Sequence, residues 1–342
     1  MIYKNIEIFN AEELFPARAG EGVQWLRVPA GVAAALESGQ NGQDKAEGST
    51  GVELRFVILG DSVKIRMAKA AKNDTTNIFH VYRGGIQGGW DDCELNVCVT
   101  EDVKEFTVKK SENLETLRKM AAEAGDPWDP AVVRVIFDRG AYRLLDVEGD
   151  VRPPKAEECP KKTLLFYGSS ITHGSNAMDM SHSFASVVGH RLRMDVRNLG
   201  MAGTCYLEHA FIDYIAQEGV RGRWNAAVLE LGINVAEWPE EKIRERSEYA
   251  VRTVAGENSD KPVFVISPFY SFHDFKGGQG CARWRRILAE TVQKAGLANV
   301  TLFDGLSLLG DASLLCADEV HPNIYGVMQI ADRLTERLSH LR

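Results

Sequence analysis

Near its middle the chain reads Leu164-Leu165-Phe166-Tyr167-Gly168-Ser169-Ser170-Ile171-Thr172-His173-Gly174. An apolar run bounded by turn residues is the pattern of a buried strand. A serine at the carboxyl end of such a strand lies where open α/β sheets bind their ligands. If a helix begins just beyond the strand, its free N–H groups favour a developing negative charge. This stretch is therefore a good place for a nucleophilic serine.

Strands and helices alternate through the second half of the chain. Strand patterns cover 163–167, 196–199, 226–231, 263–267 and 300–303, and helix patterns cover 183–192, 207–217, 240–254, 282–295 and 324–338. Strands spaced by helices of this length predict a parallel sheet with right-handed crossovers. We therefore predict a three-layer α/β/α domain whose loops gather at the carboxyl ends of the strands.

The first half reads mainly as short strands. They cover 52–59, 63–67, 78–82, 95–99, 105–108, 132–137 and 142–147, with one helix pattern at 112–124. Short strands separated by turn residues predict a β-sandwich, here a jelly-roll-like one. The segment 40–50 is rich in glycine, serine and charge, which predicts a mobile loop. The prolines in 152–160 favour a stiff, extended connection, so the predicted domains are 1–152 and 153–342.

We find no catalytic constellation in the first half. The glycine-rich segment 84–90 lacks the Gly-Lys-Ser/Thr ending of a P-loop, and it is predicted to be a hairpin or a loop between strands. The alternative is a loop that reaches the active site of the other domain, where Trp90 or Tyr82 would touch a substrate. Carbohydrate binding by the sandwich would rest on fold analogy alone.

Composition limits the function classes. The 342 residues are 44% hydrophobic and 26% charged, which is globular, and their net charge is −8. That acidic balance argues against a nucleic-acid or membrane surface, because both need a basic patch. The six cysteines are scattered and no acidic cluster has metal spacing, so we expect reduced thiols and no cofactor. Neither a signal peptide nor a membrane-spanning run is seen, which predicts a cytoplasmic protein.

Four loops of the second half carry polar residues suited to catalysis: 168–170, 198–203, 232–234 and 318–323. Serine is a poor nucleophile until a base takes its proton, and His321 is a candidate base for Ser170. Asp318, three residues before His321, is a candidate to hold the imidazole tautomer and to stabilise the imidazolium.

A tetrahedral intermediate also needs donors for its oxyanion. The candidates are the backbone N–H groups of Ser170 and Gly203 and the side-chain amide of Asn234. A glycine at position 203 allows the backbone to approach a substrate closely.

In this order and context, the four blocks resemble the SGNH (GDSL-type) hydrolase superfamily over about residues 161–340. That family places a Ser, a Gly, an Asn and a His in separate blocks of a flavodoxin-like domain. The resemblance implies that Ser170 is the nucleophile and that Asp318 and His321 are the acid and base. It likewise implies that Gly203 and Asn234 belong to the oxyanion hole.

The most specific signals are Asn-x-Gly-x-x-Gly at 198–203 and Asp-x-x-His-Pro at 318–322. A β-sandwich followed by Gly-Ser-Ser-Ile-Thr-His-Gly also resembles the bacterial two-domain SGNH subgroup. That subgroup includes carbohydrate esterases and acyltransferase-like enzymes of natural-product pathways.

Two positions depart from the family pattern. Ser169 stands where the family has the Asp of Gly-Asp-Ser, and Val235 stands where it has the Asp of Gly-x-Asn-Asp. Neither change removes a proton-transfer or oxyanion group, but both alter the supports of these loops.

Structural roles compete with the catalytic ones. Ser170 is also a candidate helix N-cap and Asn234 a candidate turn residue. We interpret Asn198 as bonding the loop backbone and Glu230 as a structural acceptor. His173 either lines the pocket or satisfies backbone groups, and Tyr270 belongs to an aromatic cluster that is either packing or pocket wall.

The sequence therefore predicts a serine esterase or acylhydrolase that acts on a small-molecule ester through an acyl-enzyme on Ser170. The resemblance to the two-domain subgroup implies an acetylated carbohydrate as that ester. The rival within enzymes is an acyltransferase that uses the same acyl-enzyme. The rival from another class is a carbohydrate-binding protein with a vestigial esterase site. His173, Tyr270 and Trp90 are the candidate pocket residues.

Overall fold

The structure, a computed structural model, describes residues 1–18, 20–70, 77–89, 97–99 and 103–342. Within these residues the strands are β1 (Ile2–Tyr3), β2 (Ile6–Phe9), β3 (Glu13–Pro16), β4 (Val23–Leu26), β5 (Glu53–Ile58), β6 (Ser62–Lys69), β7 (Ile78–Arg83), β8 (Ile86–Gln87), β9 (Val97–Cys98), β10 (Lys104–Lys109), β11 (Val132–Ile136), β12 (Tyr142–Glu148), β13 (Val151–Arg152), β14 (Thr163–Tyr167), β15 (Asp195–Asn198), β16 (Ala226–Glu230), β17 (Val263–Ile266) and β18 (Val300–Phe303). The helices are α1 (Ala30–Ala34), α2 (Gln40–Ala46), α3 (Leu114–Ala124), α4 (Ser170–His173), α5 (Phe184–Leu192), α6 (His209–Val220), α7 (Glu240–Gly256), α8 (Phe272–Phe275), α9 (Gly280–Ala295), α10 (Gly305–Leu308) and α11 (Ile324–Arg337).

Two antiparallel sheets make up the N-terminal half. One has the order β1-β2-β5-β11-β7-β8, with β13 beside β5 and β9 beside β7, and the other has the order β10-β6-β12-β4-β3. Apolar side chains from both sheets form one core, among them Phe56, Val133, Ile65 and Leu144. Two sheets that share one core form the predicted sandwich.

The C-terminal half is built on a five-stranded sheet with the order β15-β14-β16-β17-β18, and every pairing in it is parallel. Alternate side chains of β14 face opposite sides, so that Leu165 packs with α6, α7 and α9 while Phe166 packs with α5 and α11. A parallel sheet with helices on both faces is the predicted three-layer α/β/α arrangement. The strand order is that of flavodoxin-like folds.

Most predicted elements are present within one or two residues of their predicted ends. The glycine-rich segment contains the predicted hairpin, because Tyr82 pairs with Gln87 across Gly84 and Gly85. Part of the predicted strand 95–99 lies outside the described residues. The prediction missed β1 to β4, which are two to four residues long and too short to show a clear alternation.

The prediction of a mobile loop at 40–50 was wrong. Helix α2 occupies Gln40–Ala46, and Ala46, Ser49 and Thr50 are completely buried. Ala46 belongs to the core beneath α6 and α7 of the C-terminal half. Tertiary burial thus orders a segment whose local composition favours a loop.

Contacts between the two halves converge on the loop that follows β15. The buried guanidinium of Arg27 donates to the carbonyl oxygens of Asn198 at 3.1 Å, Gly200 at 3.0 Å and Lys45 at 2.6 Å. Asn10 adds a hydrogen bond from Nδ2 to the same Asn198 oxygen at 2.9 Å. Burial lowers the pKa of Arg27 to about 10, which leaves it protonated at neutral pH. The N-terminal half therefore holds the backbone of a loop at the carboxyl edge of the parallel sheet.

We expect Arg27→Met to lower the free energy of unfolding by about 2–4 kcal/mol, because buried carbonyl oxygens lose their donors. Urea unfolding followed by circular dichroism measures the change. The matched control is Arg18→Met, which removes an exposed arginine paired with Glu47 and should cost about 0–1 kcal/mol. Equal losses of unfolding free energy in the two variants would show that the hydrogen bonds of Arg27 do not stabilise this loop.

Candidate active site

The turn that carries Ser170 joins β14 to the short helix α4. Ser169 caps α4, since its Oγ accepts a hydrogen bond from Ile171 N at 3.2 Å. Ser170 is the first residue of the helix and is 8% exposed. Gly168 is needed here because a Cβ would lie 2.4 Å from Thr172 Oγ1 and 2.6 Å from Glu230 Oε2. The cap therefore falls on Ser169, and the Ser170 hydroxyl is left for another partner.

That partner is His321. Its Nε2 lies 2.7 Å from Ser170 Oγ, and its Nδ1 lies 2.9 Å from Asp318 Oδ2. The three side chains form a continuous hydrogen-bonded chain although Ser170 and His321 are 151 residues apart. This is the mutual geometry that a nucleophile, its base and an orienting carboxylate need.

Asp318 is fixed by hydrogen bonds from its own loop and from one residue outside that loop. Its Oδ1 accepts hydrogen bonds from Val320 N at 3.0 Å and His321 N at 2.9 Å, and Asn176 Nδ2 donates to its Oδ2 at 2.8 Å. Partial burial would raise the pKa of Asp318, but the hydrogen bonds from His321 and Val320 outweigh it and hold the pKa below its usual value. The carboxylate therefore stays ionised beside the imidazole.

A second carboxyl group lies behind the nucleophile turn. Glu230, at the end of β16, is 1% exposed, and its Oε2 accepts hydrogen bonds from Ser169 N and Ser169 Oγ, both at 2.7 Å, and from Thr172 Oγ1 at 3.0 Å. Among the described residues, its Oε1 has no hydrogen-bond partner. Burial raises the pKa of Glu230 to about 7, although the hydrogen bonds from Ser169 and Thr172 act in the opposite direction. The position where the family has an Asp thus holds a serine, Ser169, which is hydrogen-bonded to a glutamate of the neighbouring strand β16.

The three oxyanion candidates lie in loops at the same edge of the sheet. Ser170 N is at the start of α4, and Gly203 has a φ of 71°, a conformation that favours glycine. Asn234 Oδ1 accepts a hydrogen bond from Cys205 N at 3.2 Å, which ties its loop to the loop of Gly203. Because Oδ1 is the acceptor in that contact, the Asn234 amino group can donate elsewhere.

Asn198 and Glu230 have the structural roles predicted for them. Asn198 Nδ2 donates to Thr172 O at 2.8 Å, and Asn198 Oδ1 accepts from Gly200 N at 2.9 Å. One amide thereby joins the loop of Gly203 to the helix of Ser170.

The candidate pocket residues are dispersed. His173 is 2% exposed, and its Nε2 shares a 2.9 Å hydrogen bond with Thr50 Oγ1. Burial lowers the pKa of His173 well below its usual value, and this neutral ring faces the N-terminal half. Tyr270 is half-buried beside Phe275, with ring centroids 6.1 Å apart, and Trp90 lies outside the described residues.

Sequence reasoning missed Arg27, Asn10, Thr50 and Asn176. The first three lie in the N-terminal half and contact the loops of Asn198 and His173, and Asn176 contacts Asp318. The only local signal was an arginine within the apolar stretch Trp25-Leu26-Arg27-Val28. Two partners of Arg27, Asn198 and Gly200, are more than 170 residues away along the chain, so no local pattern identifies them.

A Ser-His-Asp chain at the carboxyl edge of a flavodoxin-like sheet is the architecture of an SGNH-type hydrolase. A family model described as the GDSL-like lipase/acylhydrolase family matches residues 161–339, just over half of the chain. The chain belongs to this family, which confirms the resemblance seen in its sequence. A search of curated proteins found no match.

Several solved structures share the fold of this chain across both of its halves. A salicylyl-acyltransferase from a tetracycline biosynthetic pathway superposes with a TM-score of 0.75 at 17% identity, over 98% of this chain and 94% of the other. A GDSL-like lipase from Bacteroides ovatus gives 0.67 at 16%, over 98% and 97%. An acetyl xylan esterase from Butyrivibrio proteoclasticus gives 0.57 at 11%, over 99% and 96%. At these identities the likeness concerns the fold.

Two further findings concern the residues that the structure describes. Within them no cluster of three or more His, Cys, Asp or Glu side chains is arranged to hold a metal ion. No helix in that part of the chain is both long and apolar enough to cross a bilayer.

We expect Glu230→Gln to gain stability relative to the native chain as the pH rises. The pKa of Glu230 is raised from 4.5 to about 7, so its stabilising contribution is complete below pH 4.5 and is lost as the pH rises through 7. Glutamine does not titrate. Urea midpoints measured at about pH 5 and about pH 8 report the change.

The control is Glu336→Gln, which makes the same replacement at an exposed glutamate of α11, so that the difference between the two variants reports the buried position. An offset for Glu230→Gln that is independent of pH would show that Glu230 titrates as an ordinary carboxyl group.

Proposed function

We propose that the protein is a serine esterase that hydrolyses a small carboxylic ester through an acyl-enzyme on Ser170. The observation that carries this proposal is the hydrogen bond of 2.7 Å between Ser170 Oγ and His321 Nε2. Membership of the GDSL-like lipase/acylhydrolase family supports it.

In the first step His321 Nε2 takes the proton of Ser170 as the hydroxyl oxygen attacks the ester carbonyl carbon. The ring becomes an imidazolium whose Nδ1–H donates to Asp318 Oδ2, at 2.9 Å. The ionised carboxylate favours this charge and fixes the tautomer, so Nε2 is free to accept a proton in the resting enzyme.

The carbonyl oxygen becomes an oxyanion in the tetrahedral intermediate. We assign its donors as the N–H groups of Ser170 and Gly203 and the side-chain amino group of Asn234. The contact between Asn234 Oδ1 and Cys205 N supports this role, because it fixes which end of the amide is available to donate.

Collapse of the intermediate breaks the bond to the alcohol, which leaves with the proton held by His321. Water then attacks the acyl-enzyme with His321 again as base, and the carboxylic acid is released. An acyltransferase would differ only in using an alcohol or amine in place of water. Product analysis with added acceptors separates the two, and the fold likeness to a salicylyl-acyltransferase makes that comparison worthwhile.

For the substrate we propose an acetylated carbohydrate. The support is the fold that this chain shares with an acetyl xylan esterase across almost all of both chains. A panel that runs from p-nitrophenyl acetate to acetylated xylo-oligosaccharides tests the acyl part and the alcohol part separately.

Ser170→Ala should abolish both covalent labelling and ester turnover. A fluorophosphonate phosphonylates only an activated serine, with loss of fluoride, so intact-mass spectrometry should find one adduct on the native protein and none on the variant. Ser259→Ala is the control: it removes an exposed serine hydroxyl outside the site and leaves the nucleophile turn intact, so it should still be labelled. Full esterase activity in Ser170→Ala would exclude the acyl-enzyme, and an unlabelled but folded native protein would favour a vestigial site.

Replacing Asn234 should lower kcat on the order of a hundredfold if its amide donates to the oxyanion. Two variants separate this role from a packing role. Asn234→Ala removes both ends of the amide, whereas Asn234→Asp retains an acceptor for Cys205 N and removes the donor. We expect a large loss of kcat in both, measured by steady-state kinetics. Native-like turnover by Asn234→Asp would remove Asn234 from the oxyanion hole.

A further inference from the structure

A cavity separate from the Ser170 site lies between the sandwich and the parallel-sheet half. Its volume is about 330 Å³, and its lining contains none of Ser170, Asp318 and His321. One wall comes from β5, β7, β8, β11 and the loop around Trp128, and the opposite wall comes from α5, the turn before it and the start of β15. Ligand sites of proteins are commonly found between domains and have volumes of about 300 to 1,000 Å³.

The charged side chains of the sandwich wall are neutralised by one another and by Asp195 of the opposite wall. Glu53 accepts from Arg134 Nε at 2.8 Å and Nη2 at 2.6 Å and from Arg55 Nε at 2.8 Å. The other nitrogens of Arg55 make a bidentate pair with Asp195, at 2.7 and 2.8 Å. Burial would raise the pKa of Glu53, but the two arginines outweigh it and lower the pKa to about 2. Together these four groups carry no net charge.

Two further basic side chains of the lining, Arg193 and His182, have partners as well. Arg193 Nη2 donates to Ala124 O at 2.8 Å, and His182 Nδ1 lies 2.8 Å from Asp179 Oδ2. Asp126 also belongs to the lining, and its Oδ1 accepts from Trp128 N at 3.1 Å. Among the described residues, the lining together with Arg55 behind it contains as many acidic side chains as arginines, three of each, and this balance of charge favours a neutral ligand.

Directional hydrogen-bonding groups and apolar surface occur side by side in the cavity. The amide of Gln87, the hydroxyl group of Tyr82 and the imidazole of His182 provide both donors and acceptors. Met180, Val187, Ile136 and Trp128 provide the apolar part. A sugar ring has this same combination, hydroxyl groups around its rim and C–H groups on its faces.

The geometry points to a second binding site in this cavity, one for a neutral saccharide of one or two rings. Gln87 and His190 are exposed, so the mouth of the site opens to solvent between β8 and α5. A glycine at position 85 allows Asp126 to pack against the inner wall, because a Cβ there would lie 2.0 Å from Asp126 Oδ2. The site requires no ester and is independent of the reaction at Ser170.

Cellobiose and xylobiose are suitable neutral probes, with glucuronate and inorganic phosphate as anionic ones. Isothermal titration calorimetry on the full chain should detect a neutral disaccharide at millimolar concentration and neither anion. Ser186→Phe, which projects a ring into the cavity from α5, should weaken binding about tenfold or more. Ser186→Ala loses the same hydrogen bond to Ser183 Oγ without filling the cavity, so it should bind nearly as the native chain does.

Gln87→Ala provides an independent check, because Gln87 is exposed on a short strand and its loss leaves the core intact. It should weaken binding several-fold, whereas Gln217→Ala, an exposed glutamine of α6 outside the lining, should not. Binding by Ser186→Phe that equals binding by Ser186→Ala would overturn the assignment. So would a preference for glucuronate or phosphate, or no binding of either disaccharide by the native chain.

Discussion

The hydrogen bonds that Glu230 accepts from Ser169 and Thr172 fix the turn on which the site is built. A carboxyl group that is almost wholly removed from water is costly to ionise, and donors to a single oxygen, Oε2, offset part of that cost. These hydrogen bonds also fix the backbone and side chain of Ser169 against the end of β16. Ser169 uses its Oγ both to donate to Glu230 and to accept from Ile171 N, so one hydroxyl links the sheet to the cap of α4. Ser170, the next residue, is thereby directed toward His321.

The same turn is held from the side by the N-terminal half. Thr50 bonds His173 at the end of α4, and Asn198 bonds Thr172 within it. Arg27 and Asn10 then hold the carbonyl oxygen of Asn198 itself. One direct hydrogen bond and one path of two hydrogen bonds therefore lead from the sandwich to the nucleophile turn, through residues that are buried and poorly able to reorganise. The N-terminal half contributes no residue to the Ser-His-Asp chain, yet it is part of what positions that chain.

Sequence and structure agree where a pattern is local and strongly periodic. The strand, turn and helix around Ser170 and the Asp-x-x-His-Pro block were predictable, because spacing and flanking residues carry the information. The helix at 40–46 was not, since glycine, asparagine and charge favour a loop until Ala46 is buried in a core formed by residues far along the chain. The role of Arg27 was also hidden, because its partners are carbonyl oxygens, which every residue has. The domain boundary near 152–160 stays a prediction.

The position of β15 at one edge of the parallel sheet explains why these contacts concentrate there. An edge strand presents unpaired backbone groups, and proteins commonly cover such an edge. Here the sandwich covers it, with Arg55 on Asp195 at the start of β15 and with Asn10 and Arg27 on Asn198 at its end. After β14 the chain crosses to α5 on one face of the sheet, and after β16 it crosses to α7 on the other. The loops of Ser170 and Asn234 therefore diverge and leave a crevice at the topological switch point, which is where ligands bind in open α/β sheets. The buried contacts that cover the edge at β15 thus also hold the loop of Gly203, which is tied to the Asn234 side of that crevice through Cys205.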